Sequence, residues 1–260
     1  MSEFSALSPE SAHKQNRENL WLREVSGQEE GALSFLFKVP ESVDIGVADY
    51  IEVQRQATHT FAHSILSIPL NYASIMRNTS IELTSSVTQA RHLPREGIVT
   101  VKEQSTGTQS ISKTDKNFVT LFEAGKRIAG GNIMGRYLPQ NVYKRLRSSL
   151  IGTQHITDVI SAEPLVEVNA SLGEFSGNPM LDDHEVDHLP GMAVVWFVEE
   201  ILRRDVPSAR LQSLSINFSG FIEKHYPSRL NLSASSDEFH GSVAQHGRMC
   251  TKFSGSFIPY

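Results

Sequence analysis

The segment "IEVQRQA" (51–57) holds three polar side chains with the spacing of a helical acid–base site. Glu52, Arg55 and Gln56 stand at i, i+3 and i+4, so they share one face of a predicted helix. Apolar residues recur with helical spacing through 47–66, which predicts that this helix is largely buried. A buried glutamate beside an arginine can be a base, a substrate anchor or an ion pair that only fixes geometry. The spacing leaves these three interpretations open.

A second polar segment, "DDHEVDHLPGM" (182–192), ends at the start of another apolar helix pattern. Proline presets the first helical turn, and glycine lets a ligand approach the exposed amides, as Pro190 and Gly191 would here. Asp187 and His188 come just before them and can form an acid–base pair, because histidine titrates near neutrality and a carboxylate can fix its tautomer. In the alternative interpretation, Asp187 caps the helix and His188 is an exposed loop residue.

Other kinds of catalytic site have no matching motif. The G-x-S-x-G, G-x-G-x-x-G and G-x-x-x-x-G-K-[ST] patterns are absent from the sequence. The acidic loop 182–188 is typical of a solvated surface, and no metal site is predicted there. His59 and His63 lie four apart inside the first helix and are predicted to pack or hydrogen-bond locally. Cys250 lies in an alternating strand pattern and is predicted to be an inert small hydrophobic residue.

Composition and charge exclude several classes of protein. The 260 residues carry a net charge of −5, whereas nucleic-acid-binding proteins usually have a basic excess. The longest apolar run, 192–198, is far shorter than the ~20 residues of a membrane span. The first 20 residues lack the apolar core of a secretion signal, and one cysteine suits a reducing compartment. We therefore expect a cytoplasmic protein that binds neither nucleic acid nor membrane.

An internal duplication organises the chain. Five features recur in the same order in its two halves, which a chance match at one motif would not explain. They are a histidine-led segment (13–16 and 155–158), a long apolar helix pattern (47–66 and 191–204), a loop with proline (Pro69 and Pro207), a strand of similar sequence (80–84 and 215–219) and a glycine-turn hairpin (123–139 and 245–260). We assign residues 10–140 to the first repeat, 141–151 to a basic linker and 152–260 to the second repeat.

Each repeat has the pattern of an α+β unit. One long apolar helix is followed by several strands with period-2 alternation, of which 118–122 and 230–234 are typical. A buried helix wrapped by an antiparallel sheet satisfies both patterns. Two such units would pair their sheets edge to edge around two central helices. The predicted architecture is a tandem, or double, hotdog fold.

The motifs "HKQNRENLWL", "EVQRQATHTFAH", "IPLNYASIMRNTSIEL" and "VDHLPGMAVV" together resemble the A-factor biosynthesis hotdog repeat family. The resemblance covers the chain from about residue 13 to its C-terminus. It implies a γ-butyrolactone (A-factor-like) synthase, which transfers a β-ketoacyl group from acyl carrier protein to the hydroxyl of dihydroxyacetone phosphate. The ester can then close toward a butenolide phosphate. No cofactor is implied beyond the phosphopantetheine that carries the substrate on carrier protein or coenzyme A.

The resemblance assigns site residues in the first repeat but is broken in the second. Glu52, Arg55 and Gln56 match the family's "EALRQA"-type helix, and residues 187–192 match its "DHxPGM". Trp196 stands where the second repeat of the family has a glutamate. The pair Glu200 and Arg203 restores an E-x-x-R spacing about 6 Å further along the helix.

From these residues we predict one surviving cleft, in which Glu52 faces the loop of Asp187 and His188 across the repeat interface. Either Glu52 or His188 would be the general base, and amides near Gly191 would polarise the thioester carbonyl. Arg55 would orient Glu52 or bind the phosphate of the acceptor. Trp196 would fill or wall off the second cleft. The other predicted substrate-binding residues are Gln56, Glu200 and Arg203.

Two other functions fit the same pattern. The chain can be another hotdog enzyme of acyl thioesters, a dehydratase or a thioesterase, or it can be a non-catalytic acyl- or lactone-binding protein. Carrier proteins are acidic, so Lys144, Arg145 and Arg147 in the basic linker are candidates for carrier-protein docking. The sequence is compatible with a monomer of two repeats or a homodimer, and it does not fix the acyl chain length.

Overall fold

Two long helices form the centre of the molecule, as their apolar sequences predict. Helix α1 (Val47–Ser64) contacts helix α4 (Gly191–Asp205) in a computed structural model. Almost the whole circumference of α1 is buried, including most of its polar side chains, so the helix has to be covered on all sides. The structure describes residues 7–41, 45–88, 92–104, 114–151, 166–170, 183, 188–206, 209–224, 226 and 228–259.

In the described part of the chain, eleven strands form a single antiparallel sheet. They are β1 (Leu22–Glu29), β2 (Ala32–Lys38), β3 (Ala73–Leu83), β4 (Glu96–Glu103), β5 (Asp115–Glu123), β6 (Arg127–Leu138), β7 (Val166–Ala170), β8 (Ala209–Phe218), β9 (Ser228–Ala234), β10 (Glu238–Gln245) and β11 (Arg248–Pro259). The remaining helices are α2 (Ser85–Thr88), α3 (Gln140–Ile151) and two 3-10 turns, Glu10–Ala12 and Arg17–Asn19. None of the helices in these ranges is long and apolar enough to span a bilayer.

The strand order shows two similar half-sheets joined at the centre. The order is β1-β2-β4-β5-β6-β3-β8-β11-β10-β9-β7, with β3 and β8 at the junction. These two strands contain the similar sequences that indicated a duplication, and Ser80 lies opposite Ser215. The predicted edge-to-edge pairing of two α+β units is therefore confirmed.

Alternation along the strands places the core between the sheet and the helices. Leu33, Phe35 and Phe37 are buried on one face of β2, as period-2 patterning requires. Each such side chain contributes about 1.5–3 kcal/mol of burial free energy. The hairpins β5–β6 and β10–β11 turn at Gly125 and Gly247, whose φ angles of 70° and 72° favour glycine. Both hairpins were predicted from these glycines.

The connection between the repeats is a helix, α3, where a basic linker was predicted. Lys144 and Arg145 are exposed on it. Arg147 is buried instead, and its guanidinium donates to both carboxylate oxygens of Glu223 at 2.8 and 2.9 Å and lies 4.5 Å from the ring centroid of Phe221. Including Arg147 in a docking surface was wrong, because this side chain is used to fix α3 against the second repeat.

Candidate functional site

A cavity of about 330 Å³ lies between the two halves of the molecule. The first half contributes α1, β3 and β6 to its walls, and the second half contributes the start of α4 and the loop 218–222. The predicted residues Glu52, Arg55, His188 and Gly191 all line this cavity. Its apolar wall includes Met76, Phe118, Ile133, Met192, Val194 and Phe218.

Glu52 is fully buried in this wall and is surrounded by hydrogen-bond donors. Arg55, one turn further along α1, donates from Nε and Nη2 to the two carboxylate oxygens at 2.8 and 2.9 Å. Lys14 Nζ lies 3.1 Å from Glu52 Oε1 and is also buried. The helical spacing predicts the contact with Arg55. Lys14 comes from a remote segment, the turn after Glu10–Ala12 that packs on α1, so helical spacing did not indicate it.

These contacts keep Glu52 ionised. Burial alone would raise the pKa of its carboxyl group, but the charges of Arg55 and Lys14 and the hydrogen bonds from Arg55 and Gln56 lower the pKa to about 2. Burial also lowers the pKa of the Lys14 ammonium group, and the charge of Glu52 opposes that shift. A carboxylate with so low a pKa is a weak proton acceptor near neutrality.

Gln56 was predicted to bind substrate, but its side chain is used by the fold. Its Oε1 accepts the backbone N–H of Trp21 at 2.8 Å, and its Nε2 donates to the carbonyl of Asn19 and to Glu52 Oε1, both at 2.9 Å. Gln56 is completely buried. The prediction was wrong because the amide group uses its oxygen and one donor contact to join the segment before β1 to α1, and its other donor contact to bond Glu52.

The start of α4 lines the cavity. Gly191 is the first residue of the helix, and the preceding Pro190 provides no side-chain cap. A Cβ atom at position 191 would lie 2.5 Å from Met76 Cε, so a glycine here lets the Met76 side chain pack against the first turn of α4. His188 Nδ1 lies 3.3 Å from the hydroxyl of Tyr143, and its ring meets Phe221 edge to face. Asp187 lies outside the described residues.

The cavity lining is cationic although the chain as a whole is acidic. Among the described residues, five cationic side chains and one carboxylate line it, whereas the whole chain has a net charge of −5. Arg136 is paired with Asp115. Arg77 and Arg248 are exposed, and no carboxylate in the described part of the chain forms an ion pair with either. The cations are Lys14, Arg55, Arg77, Arg136 and Arg248.

A group of histidines extends the cavity wall next to Lys14. The rings of His13 and His59 stack with centroids 4.1 Å apart, and His13 Nε2 lies 2.8 Å from His63 Nε2. His59 Nδ1 lies 3.2 Å from the hydroxyl of Tyr137. Local packing of His59 and His63 was expected. Their assembly with His13 was not, because His13 is 50 residues from His63 in the sequence.

A second cavity of about 280 Å³ lies beside the start of α1, but its chemistry differs. By position in the helix, Trp196 of α4 corresponds to Glu52 of α1, and Glu199 corresponds to Arg55. The carboxylate of Glu199 accepts the backbone N–H groups of the first two residues of α1 at 3.0 and 2.7 Å. The amides that would bind a ligand in this cleft are therefore occupied by the protein itself.

Trp196 of α4 and Asp49 of α1 form a hydrogen bond between the two central helices. The indole N–H of Trp196 donates to Asp49 Oδ1 at 3.3 Å, and the backbone N–H of Gly46 donates to Asp49 Oδ2 at 2.7 Å. Burial, aided by the charge of Glu199, raises the pKa of the Asp49 carboxyl group to about 7 despite these hydrogen bonds. Trp196 thus joins α4 to the start of α1.

The predicted substrate pair Glu200 and Arg203 does not form. Glu200 is exposed, because one residue along a helix turns the side chain by about 100° away from the buried face. Glu199 takes the inward position, and Arg203 Nη2 lies 3.5 Å from its Oε1. Arg203 lines the second cavity, not the cavity that contains Glu52.

The architecture is similar to that of solved acyl carrier protein (ACP) thioesterases. A 12:0-ACP thioesterase from Umbellularia californica aligns with a TM-score of 0.59 and 11% identity, over 90% of this chain and 100% of that chain. An acyl-ACP thioesterase from Bacteroides thetaiotaomicron aligns with a TM-score of 0.59 and 12% identity, over 88% and 98%. The chain has a double hotdog fold. No protein-family model and no curated protein sequence matches it, so the resemblance to the A-factor family stays a prediction.

Proposed function

We propose that this hotdog protein is an acyltransferase that acts on acyl thioesters. It would move a β-ketoacyl group from acyl carrier protein or coenzyme A to the hydroxyl of a small phosphorylated acceptor such as dihydroxyacetone phosphate, in the formation of a butyrolactone or butenolide signal. The observation that carries the proposal is a cavity with an apolar wall and a cationic lining in an acidic chain. An acyl chain requires the apolar wall, and phosphate requires the cations.

The reacting carbonyl would lie at the start of α4. Backbone N–H groups at a helix N-terminus stabilise the negative charge that develops on a thioester oxygen during attack. Gly191 lines the cavity at this point, and Met192 and Val194 continue the apolar wall beside it. In the second cavity, Glu199 occupies the equivalent amides, which supports a single active cleft.

Cationic side chains that line the cavity would have two roles: one would orient Glu52, and others would bind the acceptor. Arg55 directs two nitrogens at Glu52, which supports an orienting role for this arginine. The exposed Arg77 and Arg248 are then the proposed ligands of phosphate. His188 lies just before the α4 amides and is the proposed contact of the thioester there, and the low pKa of Glu52 makes that carboxylate a weak base.

Helix α3 is the proposed docking element for a carrier protein. Leu146 lines the cavity and Tyr143 contacts His188, while Lys144 and Arg145 are exposed on the same helix. An acidic carrier protein bound to these two side chains would be placed beside the cavity entrance. Electrostatic docking of this kind weakens as salt increases.

The proposal is tested by mass spectrometry of the products from β-ketoacyl carrier protein, with and without dihydroxyacetone phosphate. We expect an ester of the acceptor to appear only when the acceptor is present. Free acid would support a thioesterase, which is the activity named for the two solved structures described above. An enoyl product would support a dehydratase. Retention of substrate without turnover would support a binding protein.

The same assay tests docking with a matched pair of variants. K144E/R145E should lose activity several-fold with carrier protein at low salt and keep it with the coenzyme A thioester. K126E/R127E changes the same charge on the exposed β5–β6 hairpin and should keep both activities. Equal losses in the two variants would exclude α3 as a specific docking surface.

A further inference from the structure

His13 lies in the wall of the cavity, at the end of a short N-terminal turn. It has a left-handed backbone, with φ of 54° and ψ of 48°, at the end of the turn Glu10–Ala12. Histidine is one of the few non-glycine residues enriched in this conformation, which is common at functional sites. The side chain is half-buried and lines the same cavity as Glu52 and Gly191.

The contacts of His63 determine which nitrogen of each ring carries hydrogen. His63 Nδ1 lies 2.6 Å from the carbonyl oxygen of Ile68, and a carbonyl only accepts, so Nδ1 must be protonated. Burial lowers the pKa of His63, so its ring is neutral near pH 7 and its Nε2 is an acceptor. His13 must then donate its Nε2–H across the 2.8 Å contact. In a neutral His13 ring, Nδ1 is the basic nitrogen.

Several charged groups surround this pair. Helix α1 supplies Glu52, Arg55 and the neutral His59, whose pKa is lowered well below its ordinary value, first by burial. Lys14 is the next residue in the chain, and its ammonium pairs with Glu52. Among the described residues, Tyr137 from β6 and Asp183 also belong to this group: Tyr137 bonds His59, and Asp183 accepts the backbone N–H groups of Gln15 and Asn16. Burial raises the pKa of Tyr137, so its hydroxyl stays protonated near neutrality.

We propose that His13 is the catalytic base of the acyl transfer and that His63 is its positioning residue. The hydroxyl proton of the acceptor passes to His13 Nδ1 while the hydroxyl oxygen bonds to the thioester carbon. The C–S bond then breaks, and the imidazolium returns the proton to the leaving thiolate. His63 accepts a hydrogen bond from His13 throughout, which fixes the orientation of the His13 ring and stabilises the imidazolium through that bond. His188 is left to bind the thioester beside the α4 amides. This assignment rests on the proposed function.

The tautomers test the first half of this inference without any activity measurement. In protein labelled with ¹⁵N-histidine, NMR should show hydrogen on Nε2 of His13 and on Nδ1 of His63 near pH 7.5. In H63A the His13 ring loses this hydrogen-bond acceptor, so the fraction of His13 with hydrogen on Nε2 should decrease. Hydrogen on Nδ1 of His13 in the wild type would overturn the assignment, whether or not the protein turns over thioesters.

Kinetics test the second half. His13→Asn suits the left-handed backbone and should lower kcat/KM for acyl transfer by roughly 10²- to 10⁴-fold. It should also remove the acidic limb of the pH profile, and added imidazole should restore part of the rate. H188A should lower the rate and keep that limb. If H188A removes the limb and His13→Asn keeps it, His188 is the base. If the wild type transfers no acyl group in any assay, the proposed function fails, and the NMR result still decides the tautomers.

Discussion

Glu52→Gln is expected to lower the free energy of unfolding by about 3 kcal/mol or more. The substitution keeps the size of the side chain but leaves the buried Lys14 and the partly buried Arg55 without their carboxylate, and breaking a buried ion pair from one side costs about 3–5 kcal/mol. Urea unfolding measures the loss. Acyl transfer should be abolished as well, because the wall of the cavity is held by this carboxylate.

An exposed ion pair provides the matched control. Glu96 is 71% exposed and lies 3.3 Å from Lys38, so Glu96→Gln should change stability by less than about 1 kcal/mol. Replacing all three charged members of the cluster, as in K14M/E52L/R55M, should recover part of the stability without recovering activity. If Glu52→Gln is as stable as Glu96→Gln, the buried cluster does not have the energetic role assigned to it.

The second large effect is the contribution of Asp49 to stability, which is lost as the pH rises from 5 to 8. Asp49 has a pKa of about 7 in the folded protein and an ordinary value near 4 in the unfolded chain. Between these values the folded state binds more protons, so its stability decreases as the pH rises. The effect of the whole shift is on the order of 4 kcal/mol, of which roughly 2–3 kcal/mol falls above pH 5.

Asp49→Asn isolates this contribution. Asparagine does not titrate, and its single amide oxygen can accept only one of the two hydrogen bonds from Trp196 and Gly46, so we expect a loss of stability that is the same at every pH. His59 acts in the opposite direction, because its neutral form is favoured in the fold and stability rises as the unfolded ring loses its proton. Unfolding free energies measured at pH 5, 6, 7 and 8 should therefore decrease more steeply for the wild type than for Asp49→Asn. Parallel curves would contradict the assignment.

Much of the fold follows from repetition and periodicity. The similar strands at 80–84 and 215–219 predicted two units, and the structure pairs them directly through β3 and β8. The glycines at 125 and 247 predicted the two hairpins. Local patterns suffice here because strand alternation and turn chemistry are properties of neighbouring residues.

The site could be predicted only where it is local. The contact between Glu52 and Arg55 depends on helical spacing alone, and it forms as expected. Lys14 and His13 join the same wall through the path of the N-terminal segment over α1, which no local pattern encodes. Which of the two neighbouring glutamates faces α1 depends on the rotation of α4 about its axis. Glu199 is buried and accepts backbone N–H groups of α1, whereas Glu200, the next residue, is exposed. For Gln56 the partners are backbone groups of residues 19 and 21, whose positions depend on tertiary packing.

The central claim is that the cavity holding Glu52 and Gly191 binds an acyl thioester, whereas the cleft closed by Glu199 does not. A crystal structure with a non-hydrolysable β-ketoacyl pantetheine analogue tests this most directly. The acyl chain is predicted to lie along Met76, Met192 and Val194, with the carbonyl oxygen at the first amides of α4 and the second cleft free of ligand. An acyl chain bound beside Glu199, or no acyl chain in the first cavity at a saturating concentration of the analogue, would contradict the account.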